Sequence, residues 1–269
     1  MPKLFKLAAL FFCGASLWGQ SVALPLAASP HVFVQPQDKV LPQLVAGGNW
    51  ETVVVLLNMS TVTLPFKLNF YDELGSPLSL TFVTFPDNQT VTDVGIVGQL
   101  LPGGSFNFSL SKDGPIHVGW AVLTYDSTQG RIGGDAVLRQ YNANNVPGAI
   151  YEAVVPFSNL DDYKFFMPFD NLQGFSTAMA LVNTGNVTNH VTLTFLDNLG
   201  NTMFQTPVTL AAGNHLAFSI PAVYPNLAGR FGTIYVQAGT TFLAGLGLRF
   251  NPVGPFTSVP ILNWSGMFP

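Results

Sequence analysis

The chain has 269 residues, of which only 9% are Asp, Glu, Lys or Arg, against about 25% in an average soluble domain. Fourteen acidic residues against ten basic leave a formal charge of −4 with no basic run, which excludes the electrostatic footprint of a nucleic-acid or anionic-lipid binder. The single cysteine, Cys13, has no partner for an intramolecular disulfide.

Residues 1–23 have the form of a secretory signal peptide. Lys3 and Lys6 give a basic start, residues 7–19 form an apolar run too short to span a bilayer comfortably, and Ser21-Val22-Ala23 supplies a small-x-small cleavage site. Ala27-Ala28-Ser29 is a weaker second site. Lipidation of Cys13 is rejected, because Phe11 and Phe12 stand where a lipoprotein signal needs small residues. Cleavage after Ala23 removes the only thiol and two of the lysines. The expected product is a secreted protein, extracellular or periplasmic, with no membrane insertion. Residues 24–37 are Pro-spaced and aperiodic and read as a leader segment.

The body of the chain is organised around a duplication. In residues 66–75, Phe66, Leu68 and Phe70 alternate with polar neighbours before Asp72-Glu73-Leu74-Gly75. In residues 191–200, Val191, Leu193 and Phe195 do the same before Asp197-Asn198-Leu199-Gly200. A period of two marks a strand with one face on a core, and Asp-x-Leu-Gly marks a hairpin turn. The match runs without a gap from Thr52, Leu56 and Asn58 onto Thr177, Leu181 and Asn183. It divides the chain into repeat 1 at 38–157, a polar linker at 158–162 containing Asp161 and Asp162, and repeat 2 at 163–269.

Within repeat 1, residues 52–57 are apolar on both faces and are expected to lie centrally. Repeat 1 also carries extra residues between Gly75 and Gly103, including Pro86-Asp87-Asn88 and residues 95–99, which repeat 2 lacks. Repeat 2 has its own insertion at 221–229, where a short helical turn fits. Strands follow at 118–125 and 233–237, then at 135–141 and 245–250, and each copy closes on Val-Pro, at Val155-Pro156 and Val259-Pro260. Short strands broken by Gly, Pro and Asn every 8 to 12 residues or so indicate an antiparallel sandwich or barrel. The fold class is all-β, with no long helical pattern.

The pattern formed by Pro42, Leu44, Gly47, Gly48, Trp50 and Thr52, then Leu56 and Asn58, then Phe70, Tyr71, Asp72 and Gly75, then Leu101-Pro102-Gly103-Gly104 resembles an immunoglobulin-like β-sandwich repeat. Such repeats occur in tandem in secreted and cell-surface bacterial proteins, mostly without assigned function. Repeat 2 keeps Pro168, Gly174, Thr177, Leu181, Asn183, Phe195, Asp197, Gly200, Leu210 and Gly213 but lacks the proline of the Leu-Pro-Gly-Gly turn. The resemblance spans nearly all of 38–269. It implies two tandem antiparallel sandwiches, and its motifs are structural, so it implies fold more than activity.

Motifs that carry chemistry are absent: there is no Gly-x-Ser-x-Gly elbow, His-Glu-x-x-His or phosphate-binding loop. His31, His117, His190 and His215 are scattered without ligand spacing and read as surface or cross-strand residues. Asp72 and Asp197 read as turn caps rather than calcium ligands, since no Asp-x-Asn-x-Asp run accompanies them. Arg139 in Val-Leu-Arg-Gln-Tyr and Arg249 in Gly-Leu-Arg-Phe read as matching structural pins. Trp50, Phe175 and Trp120 read as core rings.

No catalytic, cofactor or metal residues are therefore assigned. The sequence points to a non-enzymatic structural or interaction module of the adhesion type. Its partner is an unknown protein or glycan surface, and the binding surface is sought at Trp264, Phe268, Asp87 and Asn88. A carbohydrate-binding protein and a two-domain periplasmic chaperone are the alternatives, with an enzyme behind both. A carbohydrate binder would need an exposed coplanar aromatic pair. Asn58, Asn88, Asn107, Asn186 and Asn263 each begin an Asn-x-Ser/Thr sequon, which matters only in a glycosylating host.

Overall fold

The computed structural model describes residues 38–143, 146–158, 164–240 and 242–263. The expected signal peptide, the leader, Asp161 and Asp162 of the linker, Trp264 and Phe268 lie outside them. Among the described residues the protein is all-β, its strands pair antiparallel throughout, and no helix is long and apolar enough to cross a membrane. The described residues fall into two compact units.

The first unit holds β1 (Lys39–Ala46), β2 (Trp50–Asn58), β3 (Leu64–Asp72), β4 (Leu80–Phe85), β5 (Gln89–Asp93), β6 (Gly95–Leu100), β7 (Ser105–Leu110), β8 (His117–Tyr125), β9 (Ile132–Tyr141) and β10 (Ile150–Pro156). They form a four-stranded sheet in the order β1-β8-β3-β6 and a six-stranded sheet in the order β10-β9-β2-β7-β4-β5. Alternation fixes which faces meet. Leu64, Phe66, Leu68 and Phe70 of β3 are buried, as are Trp50, Val54 and Leu56 of β2. The Phe70 ring lies 6.1 Å from both Phe82 of β4 and Phe108 of β7, so the two sheets pack face to face around it.

The second unit holds β11 (Lys164–Asp170), β12 (Ser176–Asn183), β13 (Asn189–Leu196), β14 (Thr202–Leu210), β15 (His215–Ser219), β16 (Phe231–Gln237), β17 (Leu243–Phe250), β18 (Phe256–Val259) and β19 (Leu262–Asn263). Its sheets run β14-β13-β16-β11-β19 and β15-β12-β17-β18. Val191, Leu193 and Phe195 are fully buried, and Phe195 meets Phe169 edge-on at 5.7 Å and Tyr224 at 5.6 Å. The 221–229 insertion supplies a helical turn, α1 (Ile220–Val223), and a 3-10 turn at Pro225–Leu227, with Ile220 and Leu227 buried in the same core.

Strand orders correspond between the units. The set β1-β8-β3-β6 matches β11-β16-β13-β14, and β10-β9-β2-β7 matches β18-β17-β12-β15. This changes the assignment of the extra residues in repeat 1. Residues 95–99 belong to β6, which pairs with β3 through Leu64 and Leu100 as β14 pairs with β13 through Asn189 and Leu210. The true insertion is the hairpin β4–β5, added beyond β7. The Asp-x-Leu-Gly turns form in both copies, with Gly75 at φ 80° and Gly200 at φ 84°, where a side chain would be strained. Only the second is a simple hairpin, between β13 and β14. After Asp72 the first copy crosses to the other sheet to build β4.

Two buried polar clamps recur. The Thr52 hydroxyl accepts from the Val45 N–H at 2.9 Å and donates to the Val45 carbonyl at 2.7 Å, joining β2 to β1 across the sandwich. Thr177 does the same to Asp170, at 2.8 and 3.1 Å. At the opposite end of each sandwich stands Asn58 or Asn183. Each is fully buried and donates its side-chain N–H groups to several carbonyls. A buried polar group that is fully partnered holds its neighbours in one arrangement at little cost.

Candidate functional site

Most of the residues singled out in the sequence are occupied locally. Asp72 Oδ1 accepts from the Ser76 N–H at 2.8 Å, and Asp197 Oδ1 accepts from the N–H groups of Leu199 and Asn201 at 2.8 Å. The Asn201 side chain, then the backbone N–H groups, hold the Asp197 carboxyl below its usual range. Among the described residues no three His, Cys, Asp or Glu side chains converge as a metal site would require. His190 is exposed on the outer face of β13, 3.4 Å from the Thr209 hydroxyl, whereas His215 is buried. Trp120 is fully buried on the face of β8 away from Phe70. There its indole donates to the Asp72 carbonyl at 3.1 Å and stacks on Tyr71 at 4.8 Å.

The two arginines do not occupy matching positions. Arg139 stands directly across from Glu51 of β2, and Arg249 directly across from Thr177 of β12. Thr177 corresponds to Thr52, whose partner is Leu138. The arginines are thus one residue out of step, which in a strand means opposite faces. Arg139 lies on the outer face, bonded to Glu152 of β10 and 3.6 Å from Glu51. Arg249 lies on the inner side at the rim, bonded to Asp170, with its guanidinium 3.6 Å from the centre of the Phe175 ring.

Asp87 and Asn88 sit at the tip of the β4–β5 hairpin. Asp87 accepts from the Thr84 hydroxyl at 2.9 Å, and Asn88 adopts a left-handed φ of 51°. Both side chains are exposed, as is the whole of β5.

The feature that sequence reasoning did not single out is the outer face of the six-stranded sheet. β2 is central, flanked by β9 and β7, but its second apolar face is not buried. Val55 is 38% exposed and Leu57 41%. Cross-strand register builds an unbroken row on this face. Val154 opposes Val137, Val137 opposes Val53, Val53 opposes Ser109, and Ser109 opposes Val83. The next row runs Pro156, Asp135, Val55, Asn107 and Phe85. On the other side of the valine row, Glu152, Arg139 and Glu51 close the apolar area with charge. Tyr141, next to that row, donates its phenol to Glu51 at 2.7 Å. In the second unit the equivalent face is built of Ala178, Ala180, Val182, Leu246 and Leu248, and every one of these is buried. The run Val53-Val54-Val55-Leu56-Leu57 was the available signal, since it has no polar alternate.

Comparison with known proteins finds no matching family model, no matching curated protein and no matching solved structure.

Proposed function

We propose that the chain is a secreted, non-enzymatic protein of two tandem immunoglobulin-like β-sandwiches, acting as a structural or interaction module of the adhesion type. The observation that carries this reading is the β4–β5 hairpin. The second unit keeps the same strand order without it, so the sandwich does not need it. Its edge strand is exposed along its full length, and its tip presents Asp87 and Asn88. Appended loops on a rigid sandwich are where such folds place recognition. Buried polar side chains such as Asn58, Thr52, Asn183 and Thr177 are spent on joining sheets, which suits a scaffold.

A glycan-binding reading needs rings lying side by side as a platform. Among the described residues, Phe166 and Tyr235 stack on the outer face of the second unit with ring centroids 4.9 Å apart and planes 28° from parallel. Each ring covers its neighbour rather than extending it. A protein surface is therefore the preferred partner.

The test replaces Asp87 by Ala and Asn88 by Gly, which strips both side chains from the hairpin tip and keeps Thr84 opposite Gln89. Whole-cell and immobilised-protein adhesion should fall for the variant while its melting temperature stays unchanged. Undiminished adhesion by a folded variant would rule the hairpin out as the recognition element.

A further inference from the structure

We propose that the outer face of β10-β9-β2-β7-β4-β5 is a self-association surface, on which a second copy of this chain packs sheet against sheet. The inference rests on reading the chain as an interaction module and names one partner for it. The face is continuous rather than a scatter of exposed side chains: Val154, Val137, Val53 and Val83 lie in one row, with Val55 and Phe85 in the next. Val154 is 46% exposed and Phe85 41%. Apolar side chains gathered in this way on a monomer's surface mark a contact site.

Self-complementarity selects the occupant. On β9, Asp135, Val137 and Arg139 alternate with inward residues and so share the outer face. A two-fold axis lying along the valine row reverses the strand direction and keeps the strand order. It places Val137 on its own counterpart and Arg139 of each copy over Asp135 of the other, twice over. The alternative in-plane axis, along the strands, exchanges β9 with β4 and seats Asp135 on Phe85, a charge against a ring. The row axis matches valine with valine and sets Arg139 on Asp135 twice, while placing Glu51 over Val55 and Glu152 over Pro156.

The area is sufficient for a modest dimer. Six strands about 4.8 Å apart and three rows about 6.8 Å apart, the valine row and the one on either side of it, give roughly 500 Å² per copy. The total of about 1,000 Å² is the lower bound for a specific interface, so association should fall in the micromolar range. Aligned packing of two sheets at about −30° is the mode by which sandwiches build their own cores.

Sedimentation velocity of the purified protein from about 1 to 300 µM is the test, with concentrations set by micromolar association. A concentration-dependent monomer–dimer equilibrium is expected. Val137→Lys, between Val154 and Val53 in the row, should weaken it at least tenfold, and Val154→Lys, on the more exposed edge strand, should weaken it without any effect on folding. Asp135→Arg, which sets arginine over arginine, should weaken it more at low salt than at high. A wild-type protein that stays monomeric throughout overturns the proposal, as does a dimer unchanged in both lysine variants. Stripping the hairpin tip leaves the valine row in place, so loss of adhesion with retained dimerisation, or the reverse, separates this proposal from the recognition role of the hairpin.

Discussion

The Asn58 side chain donates to the Leu100 carbonyl at 2.9 Å, tying β2 of one sheet to the end of β6 in the other. It also donates to the carbonyls of Val62 at 2.7 Å and Leu101 at 3.1 Å, while its own oxygen accepts from the Ser60 N–H at 3.0 Å. Asn183 repeats every part of this, with Val187, Leu210, Ala211 and the Gly185 N–H. Replacing either residue by Ala strands several polar groups at once in a buried site. Each lost partner costs about 1–3 kcal/mol, so a loss of about 3–5 kcal/mol is expected in the unit concerned. Chemical denaturation of Asn58→Ala and Asn183→Ala checks this; an unchanged midpoint in both would show that the clamps contribute nothing.

The two arginines should differ in worth because they face differently. Arg249 combines an ion pair to Asp170 with stacking on Phe175, so Arg249→Ala should cost about 1–2 kcal/mol. Arg249→Lys should recover only part of that, since an ammonium cannot stack as a plane. Arg139 pairs on the half-exposed outer face, where screening leaves such a pair worth about 0–1 kcal/mol. Thermal melts of the three variants order them; equal losses for Arg139→Ala and Arg249→Ala would contradict the one-residue offset in their registers.

That offset also shows where reading the sequence stops. The inward rows on β3 and β13, the two turns and the duplication were legible because alternation and turn chemistry are local. Arg139 and Arg249 read as equivalent because both follow Leu, but face is set by register against β2 and β12, a long-range property. Residues 95–99 read as an insertion because Gly-Ile-Val-Gly-Gln bears no likeness to the residues of β14. Only the shared pairing, Leu64 with Leu100 and Asn189 with Leu210, identifies the two strands. The outer face of β2 was not singled out for a related reason. A strand apolar on both sides states that something should cover it, and composition cannot say whether that cover lies in the same chain.

Alkaline pH should destabilise the fold through three tyrosines. Burial, followed by the charge of Asp38, raises the pKa of Tyr71; burial, followed by the hydrogen bond to Glu51, raises that of Tyr141; burial raises that of Tyr224. A phenol with a raised folded pKa holds its proton more tightly when folded. Its contribution to stability is therefore complete below the ordinary value of about 10 and is lost as pH climbs through the raised one. Ultraviolet titration should show a late-ionising group of phenols whose ionisation accompanies unfolding. Titration of all seven tyrosines as one class near the ordinary value, with the fold intact, would refute this.

Burial also sorts the sequons. Asn88 and Asn186 are exposed, at the hairpin tip and in the β12–β13 loop, and either can carry a glycan without disturbing a strand. Asn58 is fully buried, and its amide nitrogen, the atom a glycan would occupy, is the donor of the three clamp bonds. A chain modified there before folding cannot close the sandwich at that end, so it would be lost from the folded fraction. Expression in a glycosylating host, followed by peptide mapping of the folded protein, should find glycan at Asn88 and Asn186 and none at Asn58. Asn58→Gln provides the control. It should leave the glycan pattern unchanged while lowering stability, because the longer side chain cannot place its amide between the same carbonyls. A folded species bearing glycan at Asn58 would mean that the clamp is dispensable and that β2 and β6 are held together by their apolar residues alone.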